Sequence, residues 1–317
     1  MMLNYCTLFD SNYLARGLAM YESLKKHSEI FHLYIFAFDE RSLNLLRKLN
    51  YENLTVISLQ EFEDNELLKL KDTRSPGEYC WTCTPSTIKY CIEQFNLDSC
   101  TYLDADLYFF ENPSVLVDEM KEKSVLITEH RYTPKYDQTA TSGIYCVQFM
   151  TFKNDKRGMK VLNWWREACN EWCYARYEDG KFGDQMYLDD WTTRFEGIHV
   201  LEHLGGGVAP WNVQQYDLLD KKFQLIFYHF HGYKILENDK VDLANYKLKK
   251  NDLELAYKPY TVHLDQITKR IAKIDRFNDY NGILKKKPFH WKNPLISLQR
   301  YIRGTHNIFS KKKMMRK

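Results

Sequence analysis

Cys100-Thr101-Tyr102-Leu103-Asp104-Ala105-Asp106-Leu107-Tyr108-Phe109-Phe110 is the stretch on which the fold turns. A short apolar run leads into two carboxylates one residue apart, and an aromatic run follows. Residues 100–103 read as a buried strand that stops at Asp104. Upstream the same unit recurs. Residues 3–9 read as a strand ending at Asp10, residues 33–38 as a second ending at Asp39, and residues 54–59 as a third. Leu14, Leu18, Tyr21 and Leu24 recur at helical spacing and predict a helix over 13–27. Further helices are expected over 41–49, 60–70 and 85–95, the last with Pro85 near its first turn. Strands alternating with helices predict an α/β fold with a mostly parallel, doubly wound sheet. In such sheets ligands sit beyond the carboxyl ends of the strands, where Asp10, Asp39 and Asp104 all fall.

Past residue 110 the pattern mixes. Strands are expected over 124–128 and 144–152, and a long helix carrying Trp164, Trp165, Ala168 and Trp172 over 156–176. Gly205-Gly206-Gly207 opens a loop before Trp211, where it either lets backbone approach a ligand or makes a plain turn. Residues 224–230 form a β segment that closes on His229-Phe230-His231-Gly232. Near residue 240 Lys, Asn and Asp take over. The expected organisation is one main α/β domain over 1–240 and a partly helical, basic extension over 241–317. There is no internal repeat and no low-complexity linker.

The 317 residues are 44% hydrophobic and 27% charged, ordinary values for a globular chain, with a high aromatic share of 15%. Aromatics suit sugar stacking, and they also suit core packing. From Lys285 to Lys317 there are eleven Lys or Arg and no acid, leaving 34 basic against 42 acidic side chains in the body. Such a split points the tail at an anionic surface and, with no recognition module, argues against nucleic acid. No apolar run is long enough to span a membrane. The start of the chain runs straight into a strand without a signal-peptide pattern, so a cytoplasmic setting with reduced thiols is expected for the eight cysteines. Cys80-Trp81-Thr82-Cys83 with Cys169 and Cys173 lacks the repeat of a zinc module, and buried free thiols are the expected state.

Two carboxylates one apart at a strand end point the same way and can share a hard cation such as Mn²⁺ or Mg²⁺. That cation can bridge the phosphates of a nucleoside diphosphate and stabilise the charge that develops as a sugar–phosphate bond breaks. The competing reading is an exposed acidic turn.

The ordered set of motifs resembles family 8 glycosyltransferases, the group of glycogenin and the bacterial lipopolysaccharide galactosyltransferases. Thr7-Leu8-Phe9-Asp10-Ser11-Asn12-Tyr13 is similar to that family's opening, and Tyr102-Leu103-Asp104-Ala105-Asp106 to its central strand. Ser142-Gly143, Gly183-Asp184-Gln185 with Leu188, Trp211-Asn212 and His229-Phe230-His231-Gly232 with Lys234 match later elements in the same order. The resemblance implies a GT-A fold, Rossmann-like, and a metal-dependent transferase acting on a UDP-linked sugar with retention of configuration. It implies Asp104, Asp106 and His229 (alternatively His231) as ligands of Mn²⁺ or Mg²⁺. Asp184 would hold donor-sugar hydroxyls and Gln185 would lie near the anomeric carbon. Thr7, Leu8, Asp10, Asn12, Asp104, Ser142, Gly143, Trp211, Asn212, Gly232 and Lys234 would line the nucleotide-sugar site.

Three departures stand out. The family has an Arg in the helix before the central strand; here that position falls near Thr87, and Lys89 is the candidate replacement. Met186 follows Gln185, so the second acid of that motif is missing. Gly232 and Lys234 are one residue closer than in the family pattern. A glycan or lipid-linked acceptor of a bacterial surface polysaccharide or lipopolysaccharide is the implied partner. Asn293 and Pro294 read as a helix start, with Leu295, Leu298 and Ile302 on one face and Arg300 and Arg303 nearby. With Phe289, Trp291 and Lys311-Lys312-Lys313, this segment suits peripheral binding to anionic lipid on the inner face of the cell membrane. A sugar nucleotidyltransferase would show a basic glycine-rich loop after the first strand, where Asp10-Ser11-Asn12-Tyr13 stands. The remaining alternative is a non-catalytic sugar-binding protein.

Overall fold

The structure is a computed structural model that describes residues 2–276, 278–284 and 292–316. Its centre is a seven-stranded sheet in the order β3-β2-β1-β4-β7-β6-β8. The strands are β1 (Leu3–Phe9), β2 (Phe31–Ala37), β3 (Leu54–Ser58), β4 (Ser99–Leu103), β6 (Val125–Glu129), β7 (Tyr145–Lys153) and β8 (Ile198–Val200). Neighbours are parallel except at β7, which runs antiparallel to both β4 and β6. A short antiparallel pair, β5 (Leu107–Phe109) with β9 (Phe227–His229), sits beside the end of β4. A third sheet joins β10 (Lys234–Leu236), β11 (Lys240–Asp242) and β12 (Ile308–Ser310). The fold is the mixed, mostly parallel α/β sheet that the sequence pattern predicts.

Alternation along the strands divides the core. Tyr5 and Phe9 of β1 and Leu33 and Ile35 of β2 pack with Leu14, Leu18 and Leu24 of the helix Leu14–His27. Cys6, Leu8, Tyr34 and Phe36 point the other way, toward Ile88 and Ile92 of the helix Pro76–Gln94. Both faces are covered, which is why these strands read as nearly continuous apolar runs. Residues on either side of position 240 share the first of these cores: Tyr257, Tyr260 and Leu264 pack with Phe230 and Tyr233, and the Phe230 and Tyr260 rings stack at 3.8 Å.

Several boundaries differ from the sequence expectation. The helix expected over 85–95 begins at Pro76, because Ser75 and Glu78 form a reciprocal capping box there, and Pro85 is inside it. The helix expected over 60–70 is two, Leu59–Phe62 and Asn65–Lys71; Asp64 accepts from the backbone N–H of Glu66 and Leu67 and restarts the chain. The helix expected to reach 176 stops at Glu171, where Trp172 turns extended. The strand expected over 224–230 narrows to Phe227–His229, the length its partner β5 can pair. Of the basic segment, Phe289 and Trp291 lie outside the described residues.

Gly205-Gly206-Gly207 is not a slack turn: its first two glycines are packed tightly inside the protein. A Cβ on Gly205 would stand 1.7 Å from the Gln224 carbonyl oxygen, and one on Gly206 would press on Leu201 and Leu116. The close approach is to the protein's own backbone, ahead of β9. Gly205→Ala should therefore lose roughly 1–3 kcal/mol of stability, whereas Gly77→Ala, with open space around the added carbon, should not. Thermal melts of the two variants against the parent check this.

Candidate metal and nucleotide-sugar site

Asp104-Ala105-Asp106 forms the link between β4 and β5. Its backbone is fixed on two sides. The Asp104 N–H donates to the Gln148 carbonyl of β7 at 3.0 Å, and the Phe230 N–H donates to the Asp106 carbonyl at 3.0 Å. The β5–β9 pairing sets Leu107 opposite His229. Together these contacts bring one ligand atom from each of Asp104, Asp106 and His229 within 4.8 Å of one another. His229 Nε2 lies 3.1 Å from Asp106 Oδ1 and 3.7 Å from Asp104 Oδ2. Among the described residues, the other cluster with metal-binding donors is Cys6, Cys91 and Cys100, fully buried in the core. The CxxC at Cys80 and Cys83 does not join Cys169 and Cys173 in one.

The electrostatics are those of acids crowded at a sheet edge. Burial and the neighbouring Asp106 push Asp104 up to about 6, although His229 pulls it down. Burial opposes the charge of Asp106, yet His229 keeps its carboxyl below the ordinary range. Burial likewise opposes a charged His229, and Asp106 overcomes it and holds the imidazole well above its ordinary value. Asp184 is buried, and desolvation with the nearby Asp104 charge pushes it up to about 8. His231 responds oppositely: burial and His229 bring it down to about 4.

The remaining sequence-predicted residues fall into three groups. Several gather around the carboxylates. Asp10 accepts from the backbone and side-chain N–H groups of Asn12, each at 2.9 Å, at the carboxyl end of β1. The Gln185 amide donates to the Ser142 carbonyl at 2.6 Å, tying the Asp184 segment to Ser142-Gly143, and Gly143 has a φ of 89°. Trp211 presents its indole edge to His229 at 5.4 Å and to His231 at 5.3 Å. Lys234 starts β10, beyond the positive-φ Gly232, and its charge reaches His231.

A second group is built into the scaffold. Asn212 is fully buried and spends its amide on the His130 and Gly207 carbonyls and on the Ala209 N–H. Thr7 and Leu8 lie inside β1, with Leu8 facing the opposite core. The third group is Lys89 alone. Its ammonium binds Asn163 at 2.6 Å and Glu93 at 3.4 Å, on the helix surface facing Lys156–Glu171, and it is not brought to the carboxylates.

Three residues that sequence reasoning passed over belong here. Tyr13 feels the charges of Asp106, Asp104 and Asp10. Arg16 is buried and donates to the carbonyls of Asn12, Asn281 and Tyr233, anchoring the Asp10–Tyr13 turn to the C-terminal residues. Gln148 lies under His229, its Oε1 2.8 Å from Nδ1. The signal for Gln148 was available: one amide in the otherwise apolar run Tyr145-Cys146-Val147-Gln148-Phe149-Met150.

The raised Asp184 carboxyl makes a pH prediction. In the unfolded chain an Asp ionises near pH 4; in the fold Asp184 stays protonated to about 8. Its contribution to stability is complete below the unfolded value and is lost as pH rises toward the folded one. In metal-free protein, Asp184→Asn should gain on the parent in melting temperature between about pH 4 and 8. A constant difference across that range would contradict the burial argument.

The comparisons with known proteins agree with this architecture. No family model matches the chain. It is 30% identical over 277 residues to the uncharacterized protein YfnD of Bacillus subtilis (strain 168), covering 82% of this chain and 88% of that one. It is 30% identical over 298 residues to YfnF of the same organism, covering 89% and 97%. Among solved structures, the galactosyltransferase LgtC in complex with donor and acceptor sugar analogs superposes with a TM-score of 0.53 at 12% identity, over 84% of this chain and 96% of that one. The bifunctional glycosyltransferase WbbM gives 0.53 at 12% identity, over 85% and 51%. The glycosyltransferase GlyE of Streptococcus pneumoniae TIGR4 gives 0.51 at 11% identity, over 86% and 64%. The chain belongs to the family of YfnD and YfnF, and its fold is the GT-A fold of these glycosyltransferases.

Proposed function

We propose that this protein is a metal-dependent glycosyltransferase that moves a sugar from a nucleotide donor, in our reading a UDP-sugar, to a glycan or lipid-linked acceptor. The observation that carries this reading is the cluster of Asp104, Asp106 and His229 at the carboxyl end of the sheet, with Asp184 buried beside Asp104. Two carboxylates and an imidazole suit Mn²⁺ or Mg²⁺, and the crowding of acids there is relieved by a cation. The bound ion supplies positive charge to the leaving diphosphate.

The chain's own groups do the rest. Asp10 and Asn12 face the nucleoside, and Lys234 offers a point charge to the phosphates. Asp184, protonated at neutral pH, donates to a hydroxyl of the donor sugar. Gln185, held by Ser142, is set against the anomeric carbon. Trp211, packed against His231, lines the donor site. Retention of configuration and a role in bacterial surface polysaccharide or lipopolysaccharide synthesis follow from the family 8 resemblance and complete the proposal.

The decisive experiment is a panel of nucleotide-sugars with and without Mn²⁺, scored by calorimetry and by release of nucleoside diphosphate. A UDP-sugar should bind and turn over only with metal. Asp106→Asn should lower turnover at least about a hundredfold, the scale of losing a charge-stabilising group. Metal-independent binding unaffected by Asp106→Asn would refute the mechanism, and release of pyrophosphate from a sugar phosphate and a nucleoside triphosphate would favour a nucleotidyltransferase.

We also propose that the C-terminal region docks on an anionic membrane surface. Among the described residues no helix is long and apolar enough to cross a membrane. The helix Lys292–Ile302, however, exposes Leu295, Leu298, Tyr301 and Ile302, each by more than half. Arg300 is occupied, paired through two 2.7 Å contacts with Asp242, and Lys311 lies 3.9 Å from Asp239, which leaves Arg303, Lys312 and Lys313 as the basic flank. Deleting the tail would remove β12 from its sheet, so point changes are the proper test. Leu295→Ser with Leu298→Ser and Ile302→Ser should weaken flotation with phosphatidylglycerol vesicles while leaving the melting temperature unchanged; equal flotation would remove the membrane claim.

A further inference from the structure

The buried amide under His229 is hard to account for as packing. Gln148 is in β7, has no exposed surface, and is flanked in sequence by Val147 and Phe149. Its Oε1 is 2.8 Å from His229 Nδ1, and its own Nε2 has no hydrogen-bond partner. A buried amide group left half unpaired is destabilising relative to one that is satisfied. A methionine or leucine of similar size would avoid that penalty, so stability alone does not explain the residue.

The chemistry of the neighbouring ring supplies a reason. A neutral imidazole carries one N–H and one lone pair, and it binds a cation through the lone pair. The Gln148 oxygen has no hydrogen, so its contact to Nδ1 requires the N–H to be there. The nitrogen left to a cation is then Nε2, which faces Asp106 and Asp104 at 3.1 and 3.7 Å; without a cation it carries the proton shared with Asp106, and a bound cation would take that proton's place. The same contact limits ring rotation. Cys146, two residues earlier on the same face of β7, lies against the ring and completes the seat. The Asp104 N–H is bonded to the Gln148 carbonyl, so one residue positions a carboxylate by its backbone and the imidazole by its side chain.

We infer that Gln148 is the positioning residue of the metal site: it fixes the tautomer and orientation of His229 so that Nε2 is presented to the cation. The inference rests on the proposed role of Asp104, Asp106 and His229 as ligands. A polar partner behind a ligating histidine typically contributes 10- to 100-fold in metal affinity.

The test is Mn²⁺ titration of the full chain by calorimetry and by electron paramagnetic resonance, without donor or acceptor. Gln148→Met should weaken Mn²⁺ by about 10- to 100-fold while the metal-free melting temperature holds or rises. Gln148→Glu, which keeps an acceptor oxygen, should restore affinity toward the parent. Long-range ¹H–¹⁵N correlation of the Mg²⁺-loaded parent should show His229 protonated on Nδ1. Mn²⁺ affinity for Gln148→Met within about threefold of the parent would overturn the inference, as would loss in Gln148→Glu equal to that in Gln148→Met, or a proton found on Nε2. Asp106→Asn separates the two levels. If it binds Mn²⁺ as the parent does, the ligand assignment itself falls; if it loses Mn²⁺ while Gln148→Met does not, only the positioning role falls.

Discussion

The site depends on one short piece of backbone pairing. Three residues of β5 lie antiparallel to three of β9, and that register places His229 across from Leu107, one residue after Asp106. A shift by one position would turn His229 to the other face, since side chains alternate along a strand. The pairing is defended from several directions. Phe109 and Phe227 pack against each other, the Phe110 N–H donates to the Ile226 carbonyl, and Ser23 of the first helix donates structure from behind by accepting the Phe109 N–H. Gly205 approaches Gln224 closely just before β9 and sets the path by which the chain arrives.

Once that register holds, the charges have little freedom. Asp104 and Asp184 resist ionising because they are shielded from water and near other acids. Among the described residues, the ion-pair partner of both Asp104 and Asp106 is His229, not a lysine or arginine. Arg16, the buried cation in the neighbourhood, directs its guanidinium to backbone carbonyls and acts as a clasp between the Asp10–Tyr13 turn and the C-terminal residues. Lys89 is turned away to Asn163. Among the described residues the protein thus collects acids at this edge of the sheet with few fixed positive charges beside them, an arrangement whose charge a divalent cation would offset.

The C-terminal residues take part in the same construction. Tyr260 stacks on Phe230, next to His229, and Tyr108 of β5 hydrogen-bonds His263, which in turn meets Glu22 of the first helix. β12 closes the small sheet begun by β10 just after His231. Support for the site therefore comes from residues far beyond it in sequence, while the apolar face of Lys292–Ile302 stays outward.

The sequence by itself determined the sheet, because strands buried on both faces must be apolar throughout and must end where a polar group appears. That rule places Asp10, Asp39 and Asp104 at one edge. It also marked the Asp104-Ala105-Asp106 link, since two carboxylates after a buried strand are an uncommon expense. Local rules failed where a competing cap decided the boundary, as at Ser75 and Asp64, or where a partner set the length, as for β9. Only the tertiary structure decided that His229 rather than His231 lies against both carboxylates, that Lys89 does not, and that Gln148 stands behind the imidazole. Each of those facts depends on which strands are neighbours and in what register, and no pattern along a single strand carries that information.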